Sequence, residues 1–178
     1  MLGFFLCLIL AASMTHSKSE MDITFMRRCI QLAQQSLSNG DAPFGSIITK
    51  DDTLIAEGLN DAGRKVSEHA EVMALHNAHN KVGSSDLTGY TLFTSCEPCP
   101  MCSFMIREYK ISRVVFALPS PFMGGFTKWS ILQDKEIEQF KPFFGPPPEV
   151  IGGFLESESK KVMDDTPFWM FGSQVKKQ

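Results

Sequence analysis

The stretch that decides the fold spans residues 91–109 and reads TLFTSCEPCPMCSFMIREY. Residues 90–94 carry the aromatic and β-branched side chains that strands favour. Pro98 suits the first turn of a helix that we expect to extend to about residue 109. Cys99 and Cys102 stand at the predicted beginning of that helix. Because residues three apart are nearly one helical turn apart, this spacing directs both thiols to one side.

A second segment supplies a nitrogen ligand and an acid. It reads HAEVMAL, residues 69–75, at the start of a helix predicted over residues 67–80. One imidazole from His69 would complete three protein ligands for a tetrahedral Zn²⁺, which leaves the fourth position open, as in catalytic rather than structural zinc sites. Glu71 lies two residues further along and need not ligate. A carboxylate there can take a proton from water that the metal has acidified.

Plainer interpretations of these residues remain open at this point. A Cys-x-x-Cys pair alone also fits a redox pair or half of a structural zinc site, and a non-hydrolytic module of that kind is a real alternative. The count of three ligands and the presence of Glu71 favour the catalytic interpretation. We expect Cys96 to lie near the site without ligating. His76 and His79 are predicted at the surface, and Cys29 in the core.

The remaining pattern predicts an α/β fold with one mixed sheet. A helix capped by Asp22 should end at Asn39-Gly40, and a last helix should cover about residues 155–163. A loop is predicted at 118–128, and no substrate class follows from the sequence of residues 119–134. Strands are predicted at 45–49, 53–58, 90–94, 114–117 and 150–151.

Length and charge limit the class of protein. The chain has 178 residues, which suits one domain, here 21–178, and a net charge of -3. That balance favours a small-molecule substrate over a protein that binds mainly through phosphates. Five cysteines with three clustered do not form a disulfide framework. The apolar segment within residues 1–20 is too short to span a bilayer, so we expect no stable membrane insertion and leave two interpretations open: a signal-like segment or a misassigned start.

The strings HAEVMAL and TLFTSCEPCPMC resemble the cytidine deaminase-like superfamily, whose zinc deaminases carry His-x-Glu with Pro-Cys-x-x-Cys. The branch of guanine, cytosine and tRNA adenosine deaminases looks most similar. APFGSIITKDDTLIAEGLN at 42–60 resembles the first hairpin of that family, and EVIGGFLESE at 149–158 its final strand and helix.

The resemblance implies a three-layer α/β/α sandwich around a five-stranded sheet whose last two strands are parallel. It implies that His69, Cys99 and Cys102 hold Zn²⁺ and that Glu71 shuttles protons. Substrate contacts would come from Asn60, the main chain of Ala70 and, as an alternative to a core role, Phe44. The implied reaction is hydrolytic deamination of a nucleobase or nucleoside by a homodimer.

Editing of adenosine in tRNA is the second enzyme interpretation. The basic C-terminal surface of tRNA-binding relatives is reduced here to Lys176 and Lys177, which disfavours it. The tail aromatics Phe168, Trp169 and Phe171 either pack the last helix or close over a flat base. Thiolate ligands favour the cytoplasm, whereas a true signal segment would imply a secreted or periplasmic protein.

Overall fold

The chain folds into a five-stranded sheet with helices on both faces. This computed structural model describes the backbone of residues 2–166 and the side chains of residues 20–166. The strands are β1 (Gly45–Lys50), β2 (Thr53–Leu59), β3 (Tyr90–Cys96), β4 (Arg113–Leu118) and β5 (Glu149–Ile151). The helices are α1 (Leu2–Ser38), α2 (Ala70–Val82), α3 (Pro100–Glu108) and α4 (Glu156–Asp164), with a short 3-10 helix at Glu136–Phe140.

The sheet has the mixed topology that the resemblance implied. Its strand order is β2-β1-β3-β4-β5. The β1 strand pairs antiparallel with β2 and β3, whereas β3–β4 and β4–β5 are parallel. The predicted α/β sandwich, the mixed sheet and its parallel last strands are therefore confirmed.

Alternating side chains divide the core into two layers. Ile47, Phe93 and Val115 face α1 and α4, and their neighbours Ile48, Leu92 and Val114 face α2 and α3. This period of two is what a strand buried on both faces requires. On α1 the buried positions 25, 26, 29, 30, 32 and 33 follow the helical repeat. Cys29 is one of them, so its predicted core position is confirmed.

The N-terminal helix differs from the prediction. Asp22 does not cap a new helix, because α1 is continuous from Leu2 to Ser38. Its carboxylate instead accepts two hydrogen bonds, at 3.0 and 2.6 Å, from the guanidinium of Arg113 on β4. The proposed boundary between residues 1–20 and 21–178 stays a prediction. Within the part of the chain that the structure describes, no helix is both long and apolar enough to cross a membrane.

A close approach of α2 to β2 fixes the position of the first turn of α2. A Cβ on Gly58 would lie 2.1 Å from the carbonyl oxygen of Ala70 and 2.4 Å from the amide nitrogen of Ala74. Both atoms belong to the backbone, so no side chain can move aside. Glycine at this position lets the first turn of α2 pack directly on β2, close to Asn60 at the end of that strand.

Candidate active site

Two helix beginnings supply the metal-binding side chains. Cys99 is the N-cap of α3 in extended conformation, and its carbonyl accepts the hydrogen bond of Ser103 N–H at 2.8 Å. The proline in the first turn is Pro100, so α3 begins two residues later than predicted from Pro98. His69 is the N-cap of α2, also extended, and α2 begins at Ala70 rather than at 67. Each of these two residues thus stands where its segment turns into a helix, with its side chain projecting from the helix start.

The three donor atoms form a nearly equilateral triangle. His69 Nδ1 lies 3.6 Å from Cys99 Sγ and 3.5 Å from Cys102 Sγ, and the two sulfurs are 3.5 Å apart. With zinc–sulfur and zinc–nitrogen bonds of the usual length, tetrahedral angles predict edges of about 3.8 Å between sulfurs and about 3.6 Å from sulfur to nitrogen. The residues therefore fit zinc, and in the described residues they are the group that could hold a metal ion.

The charges at this triangle favour cation binding. The Cys102 thiol and the His69 imidazole donate toward Cys99 and lower the pKa of its thiol to about 4. The same contact with Cys99, together with burial, raises the pKa of Cys102. The hydrogen bond to Cys99 raises the pKa of His69. Without a metal these groups share a proton. A bound cation would displace that proton, because coordination deprotonates thiols.

Glu71 lies buried beside the triangle. It is 6% exposed, and its Oε2 is 3.5 Å from Cys102 Sγ. Oε1 accepts a hydrogen bond of 3.2 Å from the Thr94 hydroxyl on β3. Burial raises the pKa of Glu71, followed by the nearby charge of Cys99. A carboxyl with a raised pKa can take up and release a proton nearer neutral pH, which is the requirement for general acid–base work.

Asn60 directly follows β2 and is held by its side chain and its backbone. The residue is 5% exposed, and its Nδ2 donates to Asp41 Oδ1 at 2.9 Å. Its backbone N–H donates to the Phe44 carbonyl at 3.2 Å, and its carbonyl accepts the Ser36 hydroxyl at 3.0 Å. Asn60 Oδ1 is buried and has no hydrogen-bond partner among residues 20–166. Such an atom is costly unless a ligand satisfies it.

The other expected substrate contacts lie at the same end of the sheet. Ala70 is fully buried as the first residue of α2, where backbone N–H groups have no partner within the helix. Phe44 is half-buried, and its carbonyl is the group that fixes Asn60. Contact of either residue with a substrate stays a prediction.

Sequence comparison identifies the family. A family model described as the cytidine and deoxycytidylate deaminase zinc-binding region matches residues 19–118, more than half of the chain. The chain belongs to this family of zinc-binding deaminases. That assignment speaks against the redox or structural-zinc alternative, and the expected superfamily and its zinc cofactor are confirmed.

Individual relatives of the deaminase differ in substrate. Guanine deaminase of Bacillus subtilis (strain 168) is 43% identical over 97 residues, which are 53% of this chain and 62% of that protein. A tRNA-specific adenosine deaminase of Streptococcus pyogenes serotype M1 is 33% identical over 116 residues, 64% of this chain and 68% of that protein. A solved tRNA:A34 deaminase structure superimposes with a TM-score of 0.69 over 79% of this chain and 99% of that chain, at 24% identity.

Sequence reasoning missed Glu97, which lies within the cysteine motif of the deaminase. Its carboxylate is 4% exposed and accepts hydrogen bonds from the backbone N–H groups of Ser120, Phe126 and Thr127 at 2.7–3.0 Å. The Thr127 hydroxyl donates to it at 2.9 Å. A Cβ on Gly124 would lie 2.1 Å from Glu97 Oε1, so the carboxylate leaves room only for glycine at this position. Glu97 therefore fastens the segment 120–127, whose role the sequence left open, beside the cysteines.

The remaining candidates lie outside the triangle. Cys96 is buried at the end of β3, and burial raises the pKa of its thiol. His76 is exposed as predicted, whereas His79 is half-buried with its Nδ1 3.2 Å from the Ser85 hydroxyl. The tail residues Phe168, Trp169, Phe171, Lys176 and Lys177 lie outside the described residues.

A groove of about 820 Å³ runs along the exposed edge of β2. Asp41 and Asn60 line it, together with Arg28, Arg64 and Asn77, but neither the donor triangle nor Glu71 does. The groove therefore reaches Asp41 and Asn60 but not the three possible metal ligands.

Proposed function

We propose that this deaminase hydrolyses the exocyclic amino group of a free nucleobase or nucleoside, with guanine as the first candidate substrate. Water attacks the amine-bearing ring carbon, the carbon–nitrogen bond breaks, and ammonia leaves as the ring gains a carbonyl. The observation that carries the proposal is the buried carboxylate of Glu71 next to the donor triangle. The 43% identity with a guanine deaminase supports the choice of guanine.

Each site residue has a specific task in this reaction. His69, Cys99 and Cys102 would hold the zinc, which when bound supplies the Lewis acidity that makes water nucleophilic near neutral pH. Glu71 takes the proton of the attacking water and transfers it to a ring nitrogen. It then takes the remaining proton from the newly attached hydroxyl and gives it to the departing amine, so that ammonia leaves as the carbonyl forms. Its hydrogen bond from Thr94 keeps Oε1 in place while Oε2 faces the donor triangle.

The test is ammonia release by the zinc-loaded protein from guanine, cytosine, adenine, their nucleosides and a tRNA anticodon hairpin. We expect activity on a free base or nucleoside and a loss of about 10²–10⁴-fold in Glu71→Gln, since positioned proton transfer contributes that much. Glu108→Gln, which changes an exposed glutamate on α3, is the matched control and should keep full turnover. Near-normal turnover in zinc-loaded Glu71→Gln would contradict the mechanism.

Deamination of adenosine in tRNA is the second candidate, favoured by the 33% identity with tRNA-specific adenosine deaminases. The formal net charge of -3 argues against it, and the exposed side chains in and after the cysteine motif include the apolar Met101, Phe104, Phe122 and Trp129. Affinity for tRNA depends mainly on cationic contacts with phosphates. A gel shift of tRNA at physiological salt, with deamination of the hairpin, would replace the first candidate by the second.

The same exposed apolar side chains support the homodimer that the resemblance implies. Phe104 is 44% exposed on α3 and stacks edge-on against Phe144, with ring centroids 6.2 Å apart. An apolar patch next to an active site is typical of an interface. Sedimentation velocity should show a dimer for the wild type and a shift to monomer for Phe104→Asp, whereas Glu108→Gln should leave the dimer unchanged.

A cytoplasmic location accords with this chemistry. Cys99 and Cys102 are free thiols 3.5 Å apart, and an oxidising compartment would favour their disulfide over metal binding. Fractionation of cells that express the full chain, with and without residues 1–20, tests the location.

A further inference from the structure

The side chain of Asn60 carries an unused acceptor, and the next residue, Asp61, donates its backbone N–H to the carbonyl of Glu68, which directly precedes His69. The amide nitrogen of Asn60 is bonded to Asp41, whereas its amide oxygen is buried with no partner among the described side chains and backbone. A buried carbonyl oxygen without a donor lowers the stability of the fold, so proteins rarely retain one that nothing uses. The missing donor therefore points to a bound molecule.

Asp41 determines which end of the amide is unused. An ionised carboxylate can only accept hydrogen bonds, so the nitrogen of Asn60 must face it and the oxygen must face away. Asp41 Oδ1 also accepts the backbone N–H of Ala42 at 2.6 Å, and Oδ2 accepts that of Gly63 at 2.8 Å. These contacts hold the carboxylate in one orientation.

The backbone around Asn60 removes the remaining freedom. Hydrogen bonds to Phe44 and from Ser36 fix its N–H and its carbonyl, and Ser36 is itself fully buried. The Asp41–Gly63 contact in addition ties down the segment that leads from Asn60 to His69. The unused oxygen thus belongs to a rigid arrangement built by Asp41, Ser36 and Phe44.

We propose that Asp41 is a positioning residue that presents Asn60 Oδ1 as a hydrogen-bond acceptor, so that the enzyme selects substrates that place an N–H or O–H donor at this oxygen. The inference rests on the proposed deaminase function and narrows its substrate class. Two donors share this chemistry: the N9–H of a free purine base and a sugar hydroxyl of a nucleoside. A purine base methylated at N9 lacks both.

The experiment compares full-length, zinc-loaded wild type with Asp41→Asn, Asn60→Asp and the double variant. Asparagine at 41 can donate or accept, so the Asn60 amide is free to turn, and kcat/KM should fall about tenfold, mainly through KM. Asn60→Asp places two carboxylates in contact, and its kcat/KM should fall more than a hundredfold. In the double variant the amide at 41 donates to the carboxylate at 60, which again presents an oxygen, and activity should return to within about tenfold of wild type.

Guanine, 9-methylguanine and guanosine identify the donor. Activity on guanine but on neither 9-methylguanine nor guanosine assigns the N9–H, and activity on guanosine but on neither guanine nor 9-methylguanine assigns the sugar hydroxyl. Activity on guanine and guanosine but not on 9-methylguanine shows that either donor serves. Equal kcat/KM on all three substrates would contradict the proposed selection by Asn60 Oδ1. Asp61→Asn, which changes an acid that is bonded to Arg64 in the same segment, is the matched control and should change neither kcat nor KM.

A second measurement does not depend on turnover. In nitrogen-15 spectra the two Asn60 side-chain protons, assigned by their loss in Asn60→Asp, should be well separated and exchange slowly with solvent. In Asp41→Asn both signals should move toward the shifts of a solvent-exposed asparagine amide and exchange faster with solvent. A freely rotating amide in the wild type, or a double variant that binds zinc and melts normally yet stays inactive, overturns the proposal. Absence of Glu71-dependent ammonia release with a fixed amide would instead refute the proposed function alone.

Discussion

Replacement of Glu97 by glutamine should loosen the wall of the site without removing any metal-binding group. The Glu97 carboxylate now accepts hydrogen bonds from three backbone N–H groups and one hydroxyl. Glutamine retains one acceptor oxygen, and its NH₂ group would face N–H donors that it cannot pair. At least one end of the 120–127 segment must therefore lose its anchor.

The magnitude follows from the contacts that are lost. Hydrogen bonds to a charged group contribute about 1.5–3 kcal/mol, and a buried donor left unpaired costs about 1–3 kcal/mol. Loss of one or two such bonds gives a destabilisation of about 3–4 kcal/mol, since these terms overlap. At about 2–4 °C per kcal/mol for a chain of this size, the melting temperature should fall by about 6–16 °C.

Hydrogen exchange distinguishes local loosening of residues 120–127 from a loss of stability of the whole fold. Glu97→Gln should speed the exchange of residues 120–127 well before that of β3, and Glu108→Gln should change neither. Zinc content is measured in the same samples, because Cys99 lies two residues from the substitution. Unchanged exchange in 120–127, or a fall in stability that is uniform across the sheet, would refute the idea that Glu97 fastens this segment.

Three further predictions follow from other contacts. Gly58→Ala should destabilise by several kcal/mol and reduce zinc retention, because its Cβ would lie 2.1 Å from the Ala70 carbonyl oxygen; calorimetric melting and metal analysis test this. Burial alone would raise the pKa of Asp41, but hydrogen bonds from Gly63 and Ala42 lower it below its ordinary value of 3.8. The stability from Asp41 is therefore present above about pH 4 and lost as pH falls through the lower folded value, so Asp41→Asn should flatten the acid limb of a pH–stability curve. His69→Ala should abolish retention of zinc on dialysis, whereas His76→Ala, on the exposed face of α2, should retain it.

The strands and the cluster of three possible metal ligands could be predicted because local signals specify them. Aliphatic, aromatic and β-branched residues within 45–50 and 90–96 mark buried strands, and the Cys-x-x-Cys spacing brings its two sulfurs together whatever surrounds them. The sequence specifies less clearly the residue at which a helix begins. Ser67 suits an N-cap, yet residues 65–68 form a turn in which Glu68 N–H donates to Lys65, and α2 begins only after His69.

Asp41 and Glu97 could not be assigned from sequence because their partners are distant along the chain. Asp41 bonds residues 19 and 22 positions away, and Glu97 bonds residues 23–30 positions away. Neither acid has a partner at the helical spacing that would reveal its role. Their importance arises only when β2 and the segment after β4 are brought beside the same site.

The location of the site follows from the way two helices begin. His69 and Cys99 are both N-caps in extended conformation, so each side chain projects beyond the first turn of its helix. Helix N-termini carry a partial positive charge, which favours thiolates over thiols. Cys99 stands at one such end and His69 at the other, and the contacts of Cys99 with Cys102 and His69 lower the pKa of its thiol to about 4 before any metal binds. The glycine at 58 makes this convergence geometrically feasible, because it lets the α2 end approach β2, and β3 carries the cysteines into the same place.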